Sequence, residues 1–369
     1  MIELKRLFAG MTAALLAVIS LFSIPTQAIS ARSAVVVDCT TGRILYSRNC
    51  DEKSLIASTT KIMTALVVCE QCNVLDRVMI PSEAVGIEGS SLYLKTGEIL
   101  TVQELLYGMM LHSGNDAATA LAIYCAGTVE EFAQRMNDKA RGLGMKNSHF
   151  VNPHGLDSAD HYSTAEDLAI LTSYAMENPI FQKVVSTKTI NIGQRQLRNH
   201  NKLLWQLDYV DGVKTGYTKA AGRILVSSGQ KDGRRLVAVT IGATDDWNDH
   251  ISLLENSYAK YRVREVIEKD QILGFAQVAG GTARQVQLKA EVPFAYALTE
   301  GEEPQIHLPK PGFVYAPIAA GQKAGFAQVF LDGKLIGKVP LIYGETVEME
   351  EIEKMKKKRI WDRLLGGND

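Results

Sequence analysis

Residues 58–68 read STTKIMTALVV. From Ser58 to Val68 the segment is apolar nearly all round, which predicts a helix buried in a core. Ser58 and Lys61 lie three residues apart and so share one side of that helix. The spacing sets an ammonium beside a hydroxyl, with the free N–H groups of a helix start pointing toward negative charge that develops near Ser58.

Outward from this segment the chain alternates in kind. Residues 34–49 (AVVVDCTTGRILYSRN) turn at Thr41-Gly42 and predict a hairpin. Helical spacing follows at 101–126, 129–143 and 164–177. GRILVSSG, the turn Lys231-Asp232-Gly233 and RRLVAVTIG predict a second hairpin, with one more helix over 248–261. Strands at both ends of a helical stretch indicate an α+β domain whose sheet draws strands from its beginning and its end. From 263 the composition changes to short alternating runs such as QVQLKAEV and FAQVFLDGKLIGKVPL, a separate small all-β domain.

These shifts divide the chain into 1–28, 29–262, 263–346 and 347–369. The first part has Lys5 and Arg6, an apolar run from Met11 to Ile24 and a small-residue end at Ala28. It reads as a cleaved secretory signal, with an uncleaved anchor as the alternative. The last part (EMEEIEKMKKKRIWDRLL, 348–365) is acidic, then basic, with Trp361 and leucines near its end. It can associate with a membrane surface or remain a solvated tail.

With 40 basic and 41 acidic residues, the composition gives no footprint for nucleic acid. Five cysteines leave an odd thiol in an exported chain. Cys69 and Cys72 have CxxC spacing, yet no second pair completes a zinc set. They read as a helix-end pair, with a disulfide from one of them to Cys125 as an option.

Three short signals carry chemistry, in the order Ser58-Thr-Thr-Lys61, Ser113-Gly-Asn115 and Lys214-Thr215-Gly216. None is specific alone: SxxK recurs at Ser228–Lys231 and Ser257–Lys260, SxN at Ser47–Asn49, and KTG at Lys95–Gly97. Only the copy at Ser58 opens a buried helix. A serine hydroxyl becomes nucleophilic when a base takes its proton, so Lys61 must be partly neutral; burial and a second cation, Lys214, both favour that. Ser113 and Asn115 fall between two helical stretches, where a hydroxyl relays a proton and an amide orients lysine and substrate. Lys214-Thr215-Gly216 precedes the last hairpin, on a sheet edge open to an extended peptide. No GxSxG or HExxH occurs, and His112 and His154 read as structural.

The blocks IASTTKIMTAL (56–66), LLYGMMLHSGNDAATALA (105–122), MNDKARGLGMKNSHFVNPHGLD (136–157), HYSTAEDLAIL (161–171) and DGVKTGYTKAAGRILV (211–226) together resemble the low-molecular-mass penicillin-binding D-alanyl-D-alanine carboxypeptidases. These are serine peptidases of bacterial cell-wall maturation. The resemblance implies a penicillin-recognition, β-lactamase-like transpeptidase fold: an antiparallel sheet with covering helices, a helical region, and the site between them. It also implies an acyl-enzyme on Ser58, with Lys61 as base, Ser113 and Asn115 as second element and Lys214 as third. Lys214, Thr215, Gly216 and Tyr217 would bind substrate, Thr215 at its terminal carboxylate, and the N–H groups of Ser58 and Tyr217 would form the oxyanion hole.

The implied substrate is a peptidoglycan stem peptide ending in D-Ala-D-Ala, with β-lactams as covalent inhibitors. No metal or organic cofactor is implied, and the place of action is the outer face of the cell membrane or the wall. The family often carries an arginine after the last hairpin for the substrate carboxylate. Here that segment reads ATDDWNDHISLL (243–254), without arginine. The task is then expected to fall to Thr215 and Lys214, or to His250. A β-lactamase, which needs a deacylating carboxylate for which Glu166 is the nearest candidate, and a non-catalytic penicillin-binding sensor are the alternatives.

Overall fold

The computed structural model describes residues 28–308 and 313–350. The expected leader and the tail beyond 350 lie outside the described residues. The chain divides into two compact units, at Tyr258 and Ala259. The expected border at 262/263 follows the change in strand pattern instead, because the last helix of the first unit runs on to Lys260 before the alternation begins.

The first unit starts with the hairpin β1 (Ser33–Asp38) and β2 (Ile44–Arg48). A 3-10 turn, Ala57–Thr60, leads into helix α1 (Lys61–Gln71). Then come β3 (Arg77–Met79), β4 (Ile99–Thr101), α2 (Val102–Leu111), α3 (Asn115–Ala126), α4 (Val129–Gly142), α5 (Ala165–Ala175) and α6 (Pro179–Ser186). The small hairpin β5 (Thr189–Ile192) and β6 (Arg195–Arg198), a short helix α7 (Leu203–Gln206), three long strands, β7 (Val210–Thr218), β8 (Gly222–Lys231) and β9 (Arg234–Ala243), and helix α8 (Asp246–Lys260) complete it.

The main sheet is antiparallel in the order β2-β1-β9-β8-β7. Strand β1 pairs with β9 from Ser33↔Ile241 to Asp38↔Leu236, so the start of the unit zips to its end. Strand β7 is left at the open edge. Helix α1 buries every residue from Lys61 to Val68, which is why its sequence shows no polar face. Side-chain caps set the helix starts around it: Thr101 and Glu104 close a capping box on α2, and Thr128 and Thr164 cap α4 and α5.

Two local differences from the sequence reading matter. The α-helix begins at Lys61 rather than Ser58, because Ala57 takes a left-handed φ of 44° and Thr59 Oγ1 donates to Ile56 O, a side chain competing with the helical pattern. Asn115 is the first residue of α3 rather than part of a loop, and Ser113 makes the sharp turn with a φ of 64°.

The thiols of all five cysteines are free, so no disulfide joins the CxxC pair to Cys125. The Cys72 thiol instead donates to the Cys125 sulfur, which also lies 3.8 Å from Arg135 Nη1. That donor and the guanidinium together lower Cys125 to about 7 against its burial.

The second unit pairs β10 (Arg262–Ile267) with β13 (Phe294–Leu298). It adds a six-stranded sheet in the order β14-β16-β17-β12-β11-β15, built from β11 (Ile272–Ala279), β12 (Gln285–Ala290), β14 (Gln305–His307), β15 (Phe313–Tyr315), β16 (Lys323–Leu331) and β17 (Lys334–Tyr343). Ile267, Val329, Val339 and Leu341 centre one of its small cores. The β16–β17 turn is Asp332-Gly333, with φ of 48° and 76°, the paired left-handed geometry that makes Asp-Gly a hairpin signal.

Candidate active site

The turn carrying Ser58 is wedged between β7 and the loop 151–161. A Cβ on Gly155 would stand 1.8 Å from Ala57 O, and its φ is +90°, so only glycine fits. On the other side Gly216 faces the turn, where a Cβ would lie 3.3 Å from Ala57 Cβ and from Ser58 N. The backbone of β7 therefore converges with the Ser58 N–H.

The loop is fastened to α1 by side chains. Thr64 Oγ1 donates to Pro153 O at 2.6 Å. His161 Nδ1 accepts from Val151 N–H at 3.1 Å, which leaves its Nε2–H to donate to Thr60 Oγ1 at 2.7 Å. Burial pushes His161 down to about 4 and His154 to about 3, so both rings are neutral at physiological pH. His154 takes part through its backbone carbonyl, in keeping with a structural role for its ring.

That carbonyl receives Lys61. Its Nζ lies 2.8 Å from His154 O, 2.7 Å from Asn115 Oδ1 and 3.0 Å from Ser58 Oγ. A neutral amine has two N–H bonds and one lone pair, and the carbonyl and amide oxygens can only accept. With both hydrogens committed to them, the lone pair is left for the Ser58 hydroxyl. Lys61 is fully buried and held well below its usual range, first by desolvation, then by the Lys214 ammonium, against the opposing pull of Asp116.

Asn115 is itself fixed. Its Nδ2 donates to Glu88 O and its N–H to Ser90 O at 2.7 Å. The segment that supplies these carbonyls is gripped by Asp116, which accepts from Ser91 Oγ at 2.7 Å and from the N–H groups of Leu92 at 2.9 Å and Leu94 at 3.1 Å. Asp116 was not singled out in the sequence, since nothing local marks a carboxylate whose partners lie more than twenty residues upstream. Ser113 lines the cleft with Ser58 but receives no hydrogen bond from Lys61.

Lys214 is buried on β7, donates to Thr215 O at 2.9 Å, and is lowered to about 7 by desolvation. Such a group lowers stability, because the unfolded lysine titrates near 10.5. Between pH 7 and 10.5 the unfolded chain binds more protons, so stability rises with pH across that window. Lys214→Met should therefore stabilise the fold by a few kcal/mol, in order of magnitude, at pH 7. Differential scanning calorimetry at pH 7 would show a raised Tm, and no rise would contradict a desolvated ammonium.

Ser58, Ser113, Thr215, Gly216, Tyr217 and Arg223 line one cleft of about 650 Å³. Lys61, Asn115 and Lys214 are buried outside that lining, and Lys61 reaches it through Ser58 Oγ. His250 is absent from it: fully buried, it bonds Ser227 Oγ at 2.6 Å and Thr240 Oγ1 at 2.9 Å, so the expected carboxylate contact is corrected. Helical spacing explains the miss, because His250 shares the buried face of α8 with Leu253, Leu254 and Ser257. Arg223, on β8, is a cleft residue that the sequence reading passed over, and Asp246 and Trp247 flank it.

Glu166 stands in the first turn of α5 and approaches the Cys50 thiol, 3.8 Å away, outside the cleft lining. It does not supply a deacylating carboxylate. The other SxxK and KTG copies are also accounted for: Ser228 is buried in β8, Ser257 lies in α8, and Lys95–Gly97 is an exposed turn with Gly97 at φ +80°.

Comparison with known proteins gives one answer. The sequence profile of the D-alanyl-D-alanine carboxypeptidase family matches residues 21–245, and that of the penicillin-binding protein 5 C-terminal domain matches 261–349. D-alanyl-D-alanine carboxypeptidase DacF of Bacillus subtilis is 32% identical over 86% of this chain and 86% of its own. DacC of Escherichia coli is 32% identical over 93% of this chain and 90% of its own. The crystal structure of penicillin binding protein 5 from Haemophilus influenzae superposes with a TM-score of 0.77 at 30% identity, covering 87% of this chain and 98% of that one.

Proposed function

Since the chain belongs to the D-alanyl-D-alanine carboxypeptidase family and is a serine peptidase of that activity, we propose that Ser58 is the residue it acylates and Lys61 the base that activates it. The observation that carries this reading is the Lys61 amine, buried, with two acceptors on its hydrogens and Ser58 Oγ 3.0 Å from its nitrogen.

The lone pair of Lys61 takes the Ser58 proton as Oγ attacks the carbonyl carbon of the penultimate D-alanine. Negative charge on that oxygen falls between the N–H groups of Ser58 and Tyr217, which are fixed before reaction and need no reorganisation. The N–H of Asn115 Nδ2 that Glu88 does not take is free for a substrate carbonyl. Collapse expels the amine of the last D-alanine, which takes its proton from Lys61. Water then attacks the ester, Lys61 again taking the proton, and Ser58 is restored. The edge of β7 accepts the peptide as an added strand, with Thr215 and Lys214 toward its carboxylate end.

A β-lactam presents the same carbonyl and carboxylate and acylates Ser58 in the same way. The substrate is the stem peptide of peptidoglycan, which lies outside the cytoplasmic membrane, where a leader such as residues 1–28 would deliver the chain. No helix among the described residues is long and apolar enough to cross a membrane.

The test is direct. The purified protein should release D-alanine from a diacetyl-Lys-D-Ala-D-Ala peptide and should carry a penicilloyl adduct mapped to Ser58 after benzylpenicillin. Absence of both would overturn the reading, and release with the adduct on another serine would overturn the choice of nucleophile.

A further inference from the structure

Resting on that reading, we propose that the Arg223 guanidinium on β8 receives the terminal carboxylate of the substrate and sets the enzyme's demand for a free C-terminus. Strand register brings it there. Tyr217 and Arg223 are direct cross-strand partners, and Thr215 pairs with Leu225, two residues further along β8. Residues two apart share a face, so Thr215, Tyr217 and Arg223 project from one side of the sheet, with Arg223 diagonal to Thr215. A diagonal pair lies roughly 7–8 Å apart, a gap that a long side chain and a carboxylate can bridge. Both side chains line the cleft that holds Ser58.

On its other flank Arg223 pairs with Ala243, the first residue of the segment that lacks an arginine. The cation therefore comes from the neighbouring strand, in a position no reading of residues 243–254 could reveal.

Asp246 buttresses this arrangement without using it up. Its Oδ1 accepts from Arg223 Nε at 3.1 Å and Nη2 at 2.6 Å, and also from Trp247 N–H at 3.1 Å. Asp246 is 5% exposed and Arg223 46%, so the pair is anchored at the carboxylate end while the guanidinium stays open to the cleft. Nη1 makes no hydrogen bond among the described residues. A planar guanidinium held along one edge presents its remaining donors in the geometry that suits a second carboxylate.

The other cation nearby is less suited to the task. Lys214 is buried, tied to Thr215 O, and lowered to about 7 by desolvation. The guanidinium keeps its charge throughout. Lys214 then serves mainly to tune Lys61, and Arg223 with Thr215 to hold the carboxylate.

The experiment compares a peptide ending in D-Ala-D-Ala with its C-terminal carboxamide, in the intact protein and in Arg223→Gln, which keeps an amide donor for Asp246. Losing a charge-assisted bond should lower kcat/KM on the acid by roughly 10- to 100-fold. Turnover of the carboxamide should change less than about twofold, so the preference for the acid collapses. Acylation by benzylpenicillin and by its methyl ester, read by intact-protein mass, should show the same collapse. Arg223→Lys, which keeps charge but loses the fork, should fall between the two.

Equal losses on acid and carboxamide would make Arg223 a structural residue and overturn the proposal, as would an unchanged preference. If Arg223→Gln is unfolded by circular dichroism, the Arg223→Lys ratio decides on the same terms. Inertness of the unaltered protein toward peptide and penicillin would instead overturn acylation at Ser58, a distinguishable failure.

Discussion

Ser58→Ala should leave the fold intact and abolish acylation. The side chain sits on a turn held by backbone and by its neighbours: Gly155 and Gly216 press on Ala57, and Thr59, Thr60 and Thr64 carry the local bonds. Removing one hydroxyl frees none of these, so the Tm should shift by no more than about a degree or two, as for a substitution that touches no core feature. The chemistry has no substitute nucleophile, because Ser113 receives no hydrogen bond from the base. Loss of the nucleophile in a serine hydrolase costs on the order of 10⁶-fold in kcat. D-alanine release should therefore fall below detection, with no penicilloyl mass. Retained adduct formation would move the nucleophile elsewhere.

The second large effect concerns the base. Lys61→Met should lower acylation by about 10²- to 10⁴-fold, the usual range for a general base. The more discriminating measurement is the pH profile. Lys61 works as the free amine, so kcat/KM falls as the pH drops through its pKa, and desolvation with the Lys214 charge sets that limb well below 10.5. Taking away the Lys214 charge relieves one of those two causes. In Lys214→Met the acid limb should therefore move to higher pH, while the same substitution raises thermal stability. A limb that stays in place would show that Lys214 does not act on Lys61. The two lysines illustrate how stability is lowered at a site to make it reactive, since both amines are kept where water cannot solvate their charged forms.

Much of the site was legible along the chain because the reaction needs residue types at local spacing. Ser58 and Lys61 lie three residues apart, close enough for Lys61 Nζ to reach Ser58 Oγ at 3.0 Å. The helical stretches from 101, 129 and 164 were legible by their spacing, and helices start there at Val102, Val129 and Ala165. The Asp-Gly hairpins were legible for the same reason. What failed were statements about distant partners. His250 stood as an option for the substrate carboxylate, but the fold buries it, and a disulfide from Cys69 or Cys72 to Cys125 stood as another, but all three thiols are free.

The sequence by itself determined the order of the chemistry: a serine and lysine three residues apart at a buried helix, a serine and an amide further on, and a lysine, threonine and glycine on an edge strand. It also determined the division into a mixed domain and a β domain, because hydrophobic period is a local property. Only the tertiary structure decided which of Lys61's hydrogens are committed, since His154 O and Asn115 Oδ1 reach it from segments 93 and 54 residues away. Only the sheet register decided that a guanidinium from β8 stands beside Thr215. Register is fixed by burial of whole strand faces, not by any residue near Arg223, and a slip of one residue would turn that side chain to the opposite face.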